Sequence, residues 1–262
     1  MVRCYGEPPY TIAVVHGGPG ACGSLCGVAK ELSKRTGTLE PIQSQSTIEG
    51  LVEELDGQLK EHAKRPIFLL GHSWGAWLCV LYASRHQEMA RGLILVGSAP
   101  FEERYVPLIA KRRMNRLTKE EQEEFQRLVC KLEGTGNADG NRCIGSLQKL
   151  VEKADYVEKI SSSYVNDLHT DGEMYAAVWE QAVQLRKDGM LIDALENIRC
   201  PICVIHGRQD PHPYQGVTEA LNQRGILSAS HILDRCGHSP FEERAAVDEF
   251  YEHVWSFCDC YP

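Results

Sequence analysis

A serine bracketed by glycines, Gly71-His72-Ser73-Trp74-Gly75, follows an apolar run with β character, Pro66-Ile67-Phe68-Leu69-Leu70. A helix-like stretch comes directly behind it, Ala76-Trp77-Leu78-Cys79-Val80-Leu81-Tyr82-Ala83. Strand, tight turn and helix in that order form the setting of a nucleophile elbow. A side chain at either glycine would crowd the adjoining strand and helix, so the pattern demands a close-packed turn. Such a turn lifts a hydroxyl clear of a sheet and sets it at a helix N-terminus, where the dipole favours developing negative charge. The expected role of Ser73 is nucleophile; a plain Gly-rich turn is the structural alternative.

A second glycine-rich loop, His16-Gly17-Gly18-Pro19-Gly20, follows another apolar run, Thr11-Ile12-Ala13-Val14-Val15. Acyl transfer to a serine needs two backbone N–H donors aimed at the tetrahedral oxyanion. The residue after the nucleophile, Trp74, supplies one. Gly18 is the candidate for the other, with Gly17 the alternative. His16 is expected to brace the loop through a hydrogen bond. A phosphate cradle is disfavoured, because the spacing fits neither G-x-x-x-x-G-K-[ST] nor G-x-G-x-x-G.

The nucleophile needs a base, and the base an orienting acid. The strand-like run Ile202-Cys203-Val204-Ile205-His206-Gly207 leads into Arg208-Gln209-Asp210-Pro211, which places Asp210 just past a buried strand. The run Ser230-His231-Ile232-Leu233-Asp234 ends in Arg235-Cys236-Gly237-His238-Ser239-Pro240, which places His238 at a strand tip before the last helix. The expected set is Ser73 as nucleophile, His238 as base and Asp210 as acid. His72, His206 and His212 are competing histidines, expected in elbow packing, at a strand end and at the pocket mouth respectively. Asp193 and Asp234 are weaker acid candidates.

Together these motifs resemble the α/β-hydrolase superfamily over nearly the whole chain. The glycine loop and Ser73-Trp74-Gly75 are similar to the proline iminopeptidase group within it. The resemblance implies a serine hydrolase acting on a small ester, amide or short peptide beneath a helical cap, with no cofactor. The chain departs from that group at His72, where glycine is typical, and at Pro211, which follows Asp210 where an acid would bind a substrate amine. Glu173 and Glu180 lie in a cap helix, where surface glutamates are commonplace. A proline-iminopeptidase-like aminopeptidase specifically, C–C bond hydrolysis or a lyase reaction on the same fold, and a triad-bearing small-ligand receptor are the alternatives.

The alternation of strands and helices predicts an α/β fold with a mostly parallel central sheet covered on both faces. Residues 1–100 and 197–262 form the expected core, and 101–196 a helical cap inserted into it. Strands are expected at 11–15, 38–42, 66–70, 92–97, 201–206 and 230–234. Helices are expected at 25–34, from a Ser46-Thr47-Ile48-Glu49 capping box to about 63, after the elbow, and at 240–257. With only ten residues before the first clear strand, leading antiparallel strands are expected to be mostly absent or very short. Residues 134–141 read as a loop between cap helices. Met174, Tyr175, Trp179 and Leu185 fit either a pocket roof or helix packing, and Lys111-Arg112-Arg113 is expected to be a solvated helix face.

A chain of 262 residues suits one such domain with a cap. Its formal net charge of -8 argues against a general nucleic-acid surface and against a patch for anionic membranes. No run approaches the roughly 18 apolar residues of a membrane span, and no signal peptide is recognisable, so a cytoplasmic location is expected. The eleven cysteines are then expected as thiols. Cys200-Pro201-Ile202-Cys203 opens a strand, which turns its thiols to opposite faces, so no metal site is expected. A small-molecule or short-peptide substrate is the expected partner, and the sequence leaves the oligomeric state open.

Overall fold

The computed structural model describes residues 1–19, 21–134, 140–160, 169–170 and 172–261. Gly20 of the glycine loop and residues 135–139 of the expected cap loop lie outside the described residues. In chain order the elements are β1 (Val2–Tyr5), β2 (Tyr10–Val15), β3 (Ala21–Cys22), α1 (Cys26–Leu32), β4 (Gly37–Pro41) and α2 (Ile48–His62). Then come β5 (Ile67–His72), α3 (Trp74–Arg85) and β6 (Ala90–Val96). Five helices follow, α4 (Val106–Met114), α5 (Lys119–Gly134), α6 (Gly140–Asp155), α7 (Gly172–Lys187) and α8 (Met190–Leu195), with β7 (His169–Thr170) between the third and fourth. The chain closes with β8 (Ile202–Gly207), α9 (Gln215–Asn222), β9 (Leu227–Leu233) and α10 (Val247–Cys260).

Seven strands form one sheet in the order β1-β4-β2-β5-β6-β8-β9. All pairings in this sheet are parallel except that of β1 with β4, so one leading antiparallel strand is present, four residues long. The central strands are apolar on both faces because helices cover both, and their period of two sorts the side chains. Ala13, Val15, Leu69, Leu93, Leu95 and Val204 pack with α2, α3, α7, α8 and α9 on one face. Val14, Leu70, Ile94, Val96, Cys203 and Ile205 pack with α1 and α10 on the other. Cys200 packs on the first face and Cys203 on the second, as the strand reading requires. Among the described residues, no helix is long and apolar enough to cross a membrane.

Three expectations need correction. The last helix runs over Val247–Cys260, not 240–257, with a separate 3-10 turn at Pro240–Glu242 ahead of it. The N-cap of α2 is Thr47, not Ser46; its hydroxyl accepts from the Gly50 N–H at 3.1 Å, the N3 donor that such a cap satisfies. The run Lys111-Arg112-Arg113 is only partly a solvated face. Arg112 donates to the Asp210 main-chain oxygen at 3.1 Å, and Arg113 grips Asp155. The long arginine stems reach from the last turn of α4 to acceptors on neighbouring loops, leaving Lys111 exposed.

The elbow shows why the two glycines are needed. A Cβ on Gly71 would lie 2.4 Å from the Gly75 oxygen, and one on Gly75 would lie 2.1 Å from the Val15 oxygen. Both obstacles are backbone, which cannot swing aside. Gly75→Ala should therefore destabilise the fold by about 3 kcal/mol or more, the upper end of overpacking costs. Chemical denaturation measures it; a loss below about 1 kcal/mol would mean that the elbow is looser than this packing implies.

Candidate active site

Ser73, Asp210 and His238 all sit beyond the C-terminal ends of sheet strands, β5, β8 and β9, where parallel strands release their loops. Ser73 follows β5 and caps α3 with φ 53° and ψ -118°. A non-glycine residue in that region is strained by about 1–3 kcal/mol, and such strain persists only where its surroundings enforce it. Here the Ser73 N–H is held by the Val96 oxygen at 2.9 Å, and the next turn begins with the Ala76 N–H on the Ser73 oxygen. The Ser73 hydroxyl makes no capping bond to α3.

Asp210 follows β8 and is buried. One carboxylate oxygen accepts from His238 Nδ1 at 2.9 Å and lies 3.0 Å from His206 Nε2. The other accepts from the His212 N–H at 2.8 Å and from His212 Nδ1 at 3.0 Å. Burial alone would raise the Asp210 pKa, but His238, His212 and His206 together hold it well below the usual carboxylate range. Gly97, at the end of β6 with φ +51°, leaves the room this pair requires; a Cβ there would meet the His238 oxygen at 2.4 Å.

The three histidines nearest the cavity differ in their tendency to hold a proton. Burial and then the charge of His238 push His72 down to about 3 and His212 down to about 4. Burial pulls His238 down too, but the Asp210 carboxylate outweighs it, and His238 ends above its ordinary 6.5. Of the three, His238 alone is shifted upward, toward holding its proton near neutrality. Its Nδ1 edge is engaged by Asp210, which leaves Nε2 for the cavity.

That cavity, of about 350 Å³, is lined by Ser73, His238, Gly17, Gly18 and His72 on the sheet side. The facing wall carries Glu152, Asp155, Tyr156, Lys159 and Glu242. Gly18 has φ +51°, and a Cβ on Gly17 would come within 3.0 Å of the Ser73 Cβ. The glycine loop therefore lies directly against Ser73. Trp74 is the first residue of α3, so its N–H is one of the donors that a helix start leaves without an internal partner.

The candidate residues thus come together: Asp210 bonds His238, and His238 shares a cavity with Ser73, Gly17 and Gly18. The weaker acids do not, since Asp193 is exposed on α8 and Asp234 is exposed and paired with Arg208. His212 backs the acid and does not line the cavity mouth. His16 braces its loop, with Nδ1 3.0 Å from the Gly17 oxygen. Glu173 and Glu180 are exposed on α7, away from the cavity. Trp179 stacks between Trp77 and Tyr175, which makes that aromatic stripe helix packing.

Gln43 went unnoticed in the sequence. Its side chain accepts from Trp74 Nε1 at 3.0 Å and donates to the His16 oxygen at 3.0 Å, locking the elbow to the glycine loop. A polar residue just after β4 is the only local signal it leaves. Ligand-capable atoms of Asp210, His212 and His238 lie within 4.8 Å of one another, but both imidazole Nδ1 atoms are spent on hydrogen bonds to the carboxylate. Neither Nδ1 is then free to ligate a metal ion.

The alpha/beta hydrolase family model matches residues 16–251. A proline iminopeptidase of Saccharolobus solfataricus is 31% identical over 226 residues, covering 81% of this chain and 71% of that protein. A proline iminopeptidase of Lactobacillus helveticus is 24% identical over 294 residues, covering 97% of this chain and 90% of its own length. Among solved structures, VinJ matches with a TM-score of 0.70 at 17% identity, over 100% of this chain and 95% of that one, a likeness of fold.

Proposed function

Because the chain belongs to the alpha/beta hydrolase family, we propose that it is a serine hydrolase working through an acyl-enzyme on a small ester or a short-peptide amide. The observation that carries this reading is the buried Asp210–His238 pair, which opens onto the same cavity as the strained Ser73. Ser73 Oγ attacks the substrate carbonyl while His238 Nε2 takes its proton. Asp210 fixes the imidazole tautomer and stabilises its cation. The N–H groups of Trp74 and Gly18, with Gly17 the alternative, meet the oxyanion. His238 returns the proton to the leaving group, and water then deacylates Ser73. No cofactor enters these steps. The helices between β6 and β8 act as a cap that carries the far wall of the cavity.

The cavity wall favours an amine-bearing substrate. Glu152, Asp155 and Glu242 line it; Arg113 pairs with Asp155, and Lys159 is shared between Glu152 and Glu242, so one carboxylate charge is left over and the field favours a cation over a carboxylate. Similarity to proline iminopeptidases supports the same choice. A short-chain aryl ester and a prolyl arylamide, assayed side by side with Ser73→Ala as the blank, test it. Serine-dependent cleavage of the arylamide is the expected result. Cleavage of the ester alone would leave an esterase as the reading.

Neutral His238 is the working form, so kcat/KM should fall with unit slope as pH drops through its pKa. Because that pKa is raised above 6.5, the acid limb should be centred above pH 6.5. A profile flat down to about pH 4 would exclude His238 as the base.

A further inference from the structure

We propose that Arg113 and Asp155 are positioning residues for His238: an ion pair from the helices between β6 and β8 that holds the imidazole loop in place and sets the charge it feels. The inference deepens the reading of His238 as the base and rests on it.

The Arg113 fork donates from Nε and Nη2 to the two Asp155 oxygens, at 2.7 Å each. Asp155 is only 7% exposed, so the pair is little screened by solvent. The main-chain oxygen of the same residue accepts from the His238 N–H at 2.7 Å. A Cβ on Gly237 would lie 2.0 Å from that oxygen, so this approach requires the glycine that precedes the base. Asp155 ends α6 and Arg113 lies in the last turn of α4; their pairing therefore fixes two helices at the base loop.

Neighbouring contacts complete the clasp. Arg116 donates to the Ala154 oxygen at 2.6 Å and to the Gln209 oxygen, and Arg112 to the Asp210 oxygen. The buried Glu243 carboxylate accepts from the N–H groups of Val157, Glu158 and Gly237 at 2.8, 2.7 and 2.8 Å. The acid loop and the base loop are thus tied to the same helical segment.

The charged and titratable groups around His238 come from every side. Asp210 and His212 approach from the loop after β8, His72 from the elbow, Arg113 from α4 and Asp155 from α6. His206 stands behind Asp210, and Glu243 behind Gly237. Asp155 favours the imidazolium and Arg113 opposes it, both beneath the larger effect of Asp210. A brace that was merely structural would give the two residues the same effect on loss. A positioning pair gives opposite effects on the imidazole.

The test titrates the His238 ring by NMR in wild type, Asp155→Asn, Arg113→Gln and Arg113→Lys. It is paired with kcat and KM on the reporters, with Ser73→Ala as the blank. Asp155→Asn should lower the His238 pKa and Arg113→Gln should raise it, each by about half a unit or more. Arg113→Lys, which keeps the charge but loses the fork, should titrate close to wild type. In the first two variants kcat should fall about tenfold or more with KM within about twofold, the signature of misplacement. If a single variant does not fold, Arg113→Met combined with Asp155→Leu removes both charges; it should titrate near wild type with a reduced kcat. Unmoved titrations, shifts of the same sign, or full kcat in the double variant would overturn the proposal. Turnover that survives in Ser73→Ala would instead sink the hydrolase reading, and the ring titrations would still decide the clasp.

Discussion

Ser73→Ala should lower kcat on any cleaved reporter by about 10⁴- to 10⁶-fold, the range over which loss of a serine nucleophile removes covalent catalysis. The fold should not suffer. The Ser73 hydroxyl makes no capping bond to α3, so its removal orphans no buried partner there. Alanine meets the same φ of 53° with the same strain, so backbone energetics are unchanged. Steady-state kinetics together with a melting curve separate the two effects. A variant that kept more than about a hundredth of wild-type turnover would retain its nucleophile elsewhere.

Asp210→Asn should cost about 10⁴-fold in kcat, because the amide cannot hold the imidazole in the working tautomer. In the wild type, His238 Nδ1 donates to the carboxylate and Nε2 is free to accept a proton. An Asn side chain offers N–H groups to Nδ1, which favours the proton on Nε2, where it blocks attack. The His238 pKa should fall as well, since Asp210 is what raises it. Stability should also drop at neutral pH. The Asp210 pKa is held below its unfolded value, so its contribution is present above the unfolded pKa and drains away as pH falls through the folded one. The stability curves of wild type and variant should therefore converge in acid. Retention of kcat within tenfold would remove Asp210 from the role of orienting acid.

What could be read from the sequence follows a physical divide. Ser73 and Asp210 follow the buried parallel strands β5 and β8, and such strands announce themselves as short apolar runs; β9, ahead of His238, is a half-buried edge strand with a weaker signal. The loop that follows must then carry the chemistry. The boundaries of β2, β5 and β8 fell within two residues of their apolar runs for the same reason. Gln43, Arg113 and Glu243 leave no such trace. Gln43 reaches Trp74 across 31 positions, Arg113 reaches Asp155 across 42 and Glu243 reaches Val157 across 86. A polar side chain with one distant partner has no period, and in sequence it looks like any surface residue. The basic run at 111–113 has the composition of a solvated face, and only the positions of Asp155 and the acid loop give its two guanidinium groups a destination.

The most direct test of the central claim is the intact mass of the protein after reaction with a fluorophosphonate, which phosphonylates an activated serine and needs no knowledge of the substrate. The account predicts one adduct, mapped by peptide digestion to Ser73, lost in Ser73→Ala and formed far more slowly in His238→Gln. An unmodified wild-type protein, or an adduct that persists in Ser73→Ala, would contradict it.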